Sequence, residues 1–277
     1  MTDLRLEAVV YEYPDGVRGL DGVDLHIPTG SSLGLIGANG SGKTTLARHL
    51  DGLLRPSSGR LLIDDRDAAG LSVARLARDV GLCFQDPDRQ IFKSDVRSEV
   101  EFGPRQVGRN SEEAFSDAKA ALEAVGMGAE LERHPDDLGE TQRKLLSMAS
   151  VLVMQTPVVV LDEPTTGLDS RGVERVGEVI AGLRAAGRTV IGISHDMRFV
   201  AESFERLVLL DRGRVALDGT PADVFAEGAW PTLRSSGLEP PYAAVTGAGL
   251  GLGSTPTEEA LISALRGDRQ TTKGRSD

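Results

Sequence analysis

The sequence predicts an α/β protein: a largely parallel sheet, a β-rich N-terminal part and a helical insertion. Three observations carry this reading. Short apolar runs alternate with segments of helical period through most of the chain. A glycine-rich loop over residues 37–42 stands between a buried-strand candidate and a helix. From roughly 94 to 155 the strand signals stop and only helical spacing remains.

Taken in order, residues 4–13 and 23–27 place apolar residues around the turn signals Pro14-Asp15-Gly16 and Pro28-Thr29-Gly30, which reads as short strands. Leu33-Gly34-Leu35-Ile36 reads as a compact buried strand, and Lys43 to Leu54 carries apolar residues at helical spacing. Arg60–Ile63 and Val80–Phe84 are further strands, with a helix at about 72–79 between them. In the helical insertion, Asn110 with Glu113 three residues on predicts a capped start leading into Ala114–Val125. Val158–Leu161 is another buried strand, Ser170–Ala186 a helix and Thr189–Ser194 a strand; Leu207–Leu210 and Val215–Leu217 form a hairpin across Asp211-Arg212-Gly213-Arg214. After about residue 228 the chain is rich in Gly and Pro. A last helix is expected to start at Thr255, with Pro256 at its first position and Glu258 completing a capping box, and to run to about Arg266. Residues 267–277 are polar and expected to be disordered. No internal repeat is visible.

Composition bounds the function. The 277 residues are 40% hydrophobic, 26% charged and 4% aromatic, enough apolar material for a real core. With 31 basic against 42 acidic residues the net charge is −11, which argues against nonspecific nucleic-acid binding, since a phosphate backbone needs a basic patch. Cys83 is the only cysteine, so neither an intrachain disulfide nor a cysteine-based zinc cluster can form, and a reducing compartment fits. No signal peptide is expected from Met1 to Glu7, and the most apolar segment, Val151–Leu161, is interrupted by Gln155, Thr156 and Pro157. Nothing reaches the ~18–20 apolar residues of a transmembrane helix, although the chain could dock on a membrane.

Gly37-Ala38-Asn39-Gly40-Ser41-Gly42-Lys43-Thr44 fits the pattern G-x-x-x-x-G-K-[ST] of a phosphate-binding loop. Its glycines let successive backbone N–H groups turn onto phosphate oxygens, and the helix that follows aims its positive dipole end at the same place. Lys43 supplies a point charge for the outer phosphates and Thr44 a hydroxyl for Mg²⁺; Thr45 belongs to the same phosphate-binding segment. Val158–Leu161 runs into Asp162-Glu163, a buried strand ending in two acids. Asp162 can hold the metal's water shell, and Glu163 can orient or deprotonate an attacking water.

Further motifs share one register with these and together resemble the nucleotide-binding subunit of ATP-binding-cassette (ABC) proteins over residues 3 to about 226. Val80-Gly81-Leu82-Cys83-Phe84-Gln85 looks like the strand and Q-loop, Pro164-Thr165-Thr166-Gly167-Leu168-Asp169 like the D-loop, and Ile193-Ser194-His195-Asp196 like the switch-histidine region. The resemblance implies an ABC ATPase fold with a P-loop core, an N-terminal antiparallel β subdomain and an inserted helical subdomain, hydrolysing ATP with Mg²⁺. It places Gln85 at the metal and attacking water, His195 beside the reaction, Tyr13 against adenine, and Asp169 at the nucleotide. The expected boundaries are an ATPase domain at 3–227 with helical subdomain about 94–155, a C-terminal extension at 228–266 and the tail at 267–277.

One motif departs from the pattern. The family signature usually reads Leu-Ser-Gly-Gly-Gln, and Leu138-Gly139-Glu140-Thr141-Gln142 occupies its place. Gly139 lacks the serine hydroxyl, and Glu140 brings a negative charge toward the γ-phosphate that the signature contacts across a dimer. The resemblance therefore implies a second ABC ATPase subunit, favouring a heterodimer over a homodimer. Tyr11 to Gly16 with Leu20 to Val23, Phe84 to Phe92, and Glu99 to Pro104 look like the ATPases of energy-coupling-factor importers of vitamins or of cobalt and nickel. Gly237 to Pro241 and the helix at 256–266 resemble that group's C-terminal extension, implicated there in ATPase pairing. The implied partners are a transmembrane coupling subunit and a substrate-binding membrane subunit, which selects the cargo. The implied location is the cytoplasmic face of the membrane. Two alternatives stand beside this. A soluble non-transport ABC ATPase generally carries two cassettes, a long coiled coil or a basic surface, none of which is seen. A nucleotide sensor with impaired hydrolysis is opposed by intact Lys43, Thr44, Asp162, Glu163 and His195.

Overall fold

The computed structural model describes residues 2–273, with side chains as far as residue 267. Its strands are β1 (Leu4–Glu12), β2 (Arg18–Ile27), β3 (Ser32–Ile36), β4 (Ser58–Ile63), β5 (Arg66–Asp67), β6 (Val80–Cys83), β7 (Val158–Asp162), β8 (Thr189–Ile193), β9 (Arg206–Asp211) and β10 (Arg214–Gly219). β2, β1, β4 and β5 pair in that order as an antiparallel sheet. The other six form a second sheet in the order β10-β9-β3-β8-β7-β6. Within it β9, β3, β8, β7 and β6 are parallel, and β10 joins the edge through an antiparallel hairpin with β9.

The parallel strands are apolar on both faces because both faces are covered. Along β7, Val158 and Val160 enter the core under the antiparallel sheet, while Val159 and Leu161 enter the core on the opposite, helical side. β9 does the same with Val208 and Leu210 against Leu207 and Leu209. This strict period of two fixes the register, since a one-residue slip would exchange the two cores.

Helix α1 (Lys43–Leu50) follows β3, and α2 (Val73–Leu76) precedes β6. The helical insertion comprises α3 (Val96–Gln106), α4 (Ser111–Ala124) and α5 (Glu140–Leu152). Asn110 caps α4 as the sequence predicts: its side chain accepts from the N–H groups of Glu112 and Glu113, and Glu113 reaches back to the Asn110 N–H. α6 (Ser170–Ala185) and α7 (Met197–Ser203) follow β7 and β8. Beyond β10 come α8 (Pro221–Val224), α9 (Trp230–Ser235), α10 (Tyr242–Gly249) and α11 (Glu258–Lys273).

Three expectations change. α1 stops at Leu50, not Leu54, because Gly52 at φ +79° takes the left-handed conformation that ends a helix. α11 starts two residues later than expected, with the Thr257 hydroxyl accepting the Ala260 N–H. Thr255 is not the cap, because its buried hydroxyl donates to the Ala243 carbonyl at 2.7 Å. The helix also continues past Arg266 to Lys273, where a disordered tail was expected; extending a formed helix adds a hydrogen bond for each residue fixed. Residues 274–277, the rest of that tail, lie outside the described residues. Among the described residues no helix is long and apolar enough to cross a membrane.

Candidate functional site

In a parallel sheet, ligands bind beyond the carboxyl ends of the strands. β3, β8 and β7 are neighbours, so the residues that follow them meet at one edge. β3 opens into the loop Gly37–Gly42, β7 ends in Asp162-Glu163 and β8 leads to His195.

The glycines of the loop are dictated by space and by backbone. Gly37 has φ +151°, and a Cβ there would stand 2.4 Å from both the Leu210 carbonyl and the Ser41 hydroxyl. Gly42 has φ +109°, and a Cβ would stand 2.4 Å from the Gly19 carbonyl. The resulting loop leaves the N-terminus of α1 uncapped by any side chain. The Lys43 ammonium, buried with its side chain, donates to the carbonyls of Gly37 at 2.7 Å and Ala38 at 2.9 Å, closing the loop around itself. Burial pulls its pKa below the ordinary lysine value, opposed by the nearby Glu163 and Asp162 carboxylates. The Ser41 hydroxyl is buried without a partner, and Asn39 and Gly40 are exposed at the loop tip. A concave loop with buried donors and a cation is what a polyphosphate requires.

Thr44 is exposed at the start of α1 and donates its hydroxyl to Asp162 Oδ2 at 3.1 Å. The other Asp162 oxygen is buried and has no partner. Burial raises the Asp162 pKa above the usual carboxylate value; the Thr44 hydrogen bond and the Lys43 charge act against that rise and the Glu163 charge adds to it. Among the described residues no three His, Cys, Asp or Glu side chains cluster as a metal cage. An oxygen pair with one orphaned carboxylate oxygen fits Mg²⁺, which takes few protein ligands and is carried largely by substrate phosphates.

Glu163 is 7% exposed and sits at φ +48°, a conformation that costs a non-glycine residue about 1–2 kcal/mol. The backbone is held there by the Glu163 N–H donating to the Ile193 carbonyl at 2.9 Å. Glu163 Oε2 lies 2.8 Å from His195 Nδ1 and accepts the Thr166 hydroxyl at 3.3 Å. His195 is largely exposed and Glu163 is not, so the acid faces the site from inside and the imidazole from the rim.

Tyr13 is half-buried, its hydroxyl 2.8 Å from the Thr45 hydroxyl on α1. Its ring meets Tyr11 edge-on at 4.9 Å, and Tyr11 meets the buried His49 in the same way at 4.9 Å. The predicted adenine platform is thus tied to the phosphate-binding helix. Gln85 is exposed just after β6, and its carbonyl accepts from the buried Lys144 ammonium.

The segment Gly139–Gln142 is placed away from these groups, against the D-loop of its own chain. Gly139 is exposed before α5, and its N–H donates to Gln142 Oε1 at 3.3 Å. A Cβ on Gly167 would stand 2.3 Å from Glu140 Oε1, so the Glu140 carboxylate lies directly on that loop. A Cβ on Gly172 would meet the Thr141 methyl at 3.0 Å. Asp169 caps α6 by accepting the Gly172 N–H at 2.8 Å. The structure therefore joins residues 37–45, Asp162, Glu163 and His195, links Tyr13 to them through Thr45, and sets residues 139–142 apart. Sequence reasoning missed Thr166 and Lys144; a lone lysine on the apolar face of α5 was the available signal for the second.

Fold and site together define a nucleotide-binding cassette protein. Residues 20–166, more than half of the chain, match the model of the ABC transporter family, and the chain belongs to that family. It is 39% identical over 244 residues to an energy-coupling factor transporter ATP-binding protein, EcfA2, of Symbiobacterium thermophilum, covering 86% of this chain and 84% of that one. A putative ABC transporter ATP-binding protein of Methanosarcina acetivorans is 42% identical over 239 residues, covering 86% of this chain but 39% of the relative, so the chain spans about two fifths of that relative's length. Among solved structures, cbiO1 of Clostridium perfringens, part of the ABC transporter complex cbiONQ, superposes with a TM-score of 0.75 at 34% identity, covering 84% of this chain and 93% of that one. The fold is the ABC ATPase fold.

Proposed function

We propose that this chain is the ATP-hydrolysing subunit of an energy-coupling-factor type importer of a vitamin or a transition-metal ion, peripheral on the cytoplasmic face of the membrane and acting with a transmembrane coupling subunit and a substrate-binding subunit. The observation that carries this is the buried acid pair at the end of β7: Asp162 bonded to Thr44 of the phosphate loop, and Glu163 2.8 Å from His195. Likeness to EcfA2 and to cbiO1 supports the importer class.

Lys43 and the N–H groups of residues 38–44 would hold the phosphates, Tyr13 would stack on adenine, and Thr44 and Asp162, with Gln85, would hold Mg²⁺. When bound, Mg²⁺ neutralises charge on the phosphates and orients them. Glu163, low in exposure and accepting from Thr166, takes a proton from the attacking water; His195 at its Oε2 steadies the carboxylate and the charge that develops beside it. Asp169 orders the segment that faces a second subunit.

Pairing is proposed with a related chain that carries an intact signature. Residues 139–142 then cover the partner's nucleotide, while Lys43 and Glu163 face the partner's signature. The test is affinity purification from native membranes followed by phosphate release. Co-purification of a second ABC ATPase and two membrane proteins with Mg²⁺-dependent hydrolysis is expected; ATP binding without hydrolysis in the assembled complex would favour a nucleotide sensor.

A further inference from the structure

Lys144 is 2% exposed, on the second turn of α5, the helix that begins at the substituted signature. A buried ammonium is costly unless its donors are used, and this one donates to the Gln85 carbonyl. It is one of several ties between α5 and the segment after β6. Cys83 Sγ and Ser147 Oγ lie 3.3 Å apart. Gln90 accepts the Phe84 N–H at 3.2 Å and donates to the Ser147 carbonyl at 2.6 Å and the Ser150 hydroxyl at 2.8 Å. Arg143 Nη1 stands 3.3 Å from Asp88 Oδ1. Residues 84–90 are thus fastened along α5 by side chains rather than by strand pairing, next to the Cys83–Ser147 contact at the end of β6. Lys144 is the one cation among these ties that is buried; burial lowers its pKa, opposed by Cys83 and by the carboxylates of Asp162, Glu163 and Asp86.

We infer that Lys144 is a positioning residue: through the Gln85 carbonyl it fixes the backbone that aims the Gln85 side chain at the metal and water, and it makes α5 and residues 84–90 move as one body. The carbonyl it holds belongs to the same residue whose side chain is assigned to the metal, so releasing it frees ψ of Gln85 and φ of Asp86, the torsions that set the peptide plane next to that side chain. Because this rests on the proposed role of Gln85 in hydrolysis, the experiment has an arm that needs no turnover.

Lys144→Met keeps the stem and removes donor and charge; Lys144→Gln keeps a donor without the charge. In the full-length chain, amide exchange of residues 84–90 should accelerate at least about tenfold in Lys144→Met, with α5 protection near that of the wild type. In the assembled ATPase, turnover should fall about ten- to a hundredfold with ATP affinity measured without Mg²⁺ unchanged, and Lys144→Gln should recover part of the loss. The Gln85→Ala Lys144→Met double variant should be no slower than Gln85→Ala alone. Unchanged protection of 84–90, or loss spread along α5 with equal effects of Met and Gln, overturns the assignment in favour of packing. Additive losses in the double variant overturn action through Gln85. A wild-type complex that turns over while Lys144→Met equals it refutes the positioning role and leaves the ATPase reading standing. A wild-type chain that binds no ATP refutes that reading instead, and the exchange result still decides whether Lys144 holds the loop.

Discussion

Gly139→Ser with Glu140→Gly restores two side-chain positions of the family signature, and the purified chain alone is where the change should be largest. In the pairing proposed above, a homodimer of this chain would place Glu140 at both nucleotides. A missing serine hydroxyl removes a hydrogen bond to a charged group worth about 1.5–3 kcal/mol. A carboxylate held ~5 Å from a phosphate charge adds about 3 kcal/mol of repulsion at an effective dielectric of ~20. Half of that sum is already about a hundredfold in rate. The structure bears on the main escape from this penalty, rotation of Glu140 into solvent. Its carboxylate lies on Gly167 of the D-loop, within 2.3 Å of where a Cβ would stand, on the face that carries Asp169 rather than turned away from it. Against the estimate stand the N–H groups of Glu140 and Thr141 at the start of α5, which remain available to an anion whatever the side chains are.

Steady-state phosphate release should therefore be slow for the isolated wild-type chain and rise about tenfold to a hundredfold in the double variant. Glycine at the first position of α5 costs at most about 1 kcal/mol of helix stability, so thermal unfolding run in parallel keeps a folding loss from passing as a catalytic one. Brisk hydrolysis by the isolated wild-type chain, unchanged by the double substitution, refutes both the penalty and the case for a partner with an intact signature.

Glu163→Gln keeps the shape at φ +48° but removes the proton acceptor; turnover of the assembled complex should fall ~10²–10⁴-fold with ATP binding retained, and near-normal phosphate release would sink the assignment. Lys43→Ala should abolish calorimetric ATP binding, whereas Tyr13→Ala should weaken it by only ~1–3 kcal/mol; the reverse order would place the adenine platform elsewhere. Asp51 is a buried carboxyl whose pKa burial pushes up to about 6 from 3.8, so the native state holds its proton more tightly than the unfolded chain does. That contribution is complete below about pH 4 and lost as pH rises through 6, so Asp51→Asn, which keeps an acceptor for the Leu53 N–H, should stabilise the fold by up to about 3 kcal/mol at pH 8 and not at pH 4. Equal urea midpoint shifts at both values would contradict this.

What the sequence made legible is what depends on spacing along the chain. The loop Gly37–Thr44 fixes its own geometry, because its lysine folds back onto carbonyls five and six residues away. The strand before Asp162 announces itself by four apolar residues running into two acids, and the cap at Asn110 by a glutamate one turn on. Contacts set by strand order are a different matter. That Glu163 meets His195 follows from β7 lying beside β8, and that Asp162 meets Thr44 follows from β3 lying on the other side of β8; residue spacing alone carries neither. The misplaced start of α11 shows the same limit at short range. Thr255 and Thr257 both offer a capping hydroxyl, and the glutamate three residues after Thr255 favours the first by local rules. Tertiary structure uses Thr255 to hold the Ala243 carbonyl of α10, with Gly247 packed so closely that a Cβ would stand 1.9 Å from the Thr255 hydroxyl. Thr257 is then the hydroxyl left for α11. Glu140 presents the same difficulty with a functional consequence. From sequence its charge could point toward the partner's phosphate or toward solvent, and only its seat on Gly167 makes the D-loop of the same chain a third possibility. With Glu140 on Gly167 and Asp169 capping α6 just beyond it, the signature segment and the loop that leads into α6 lie side by side on one face of the chain.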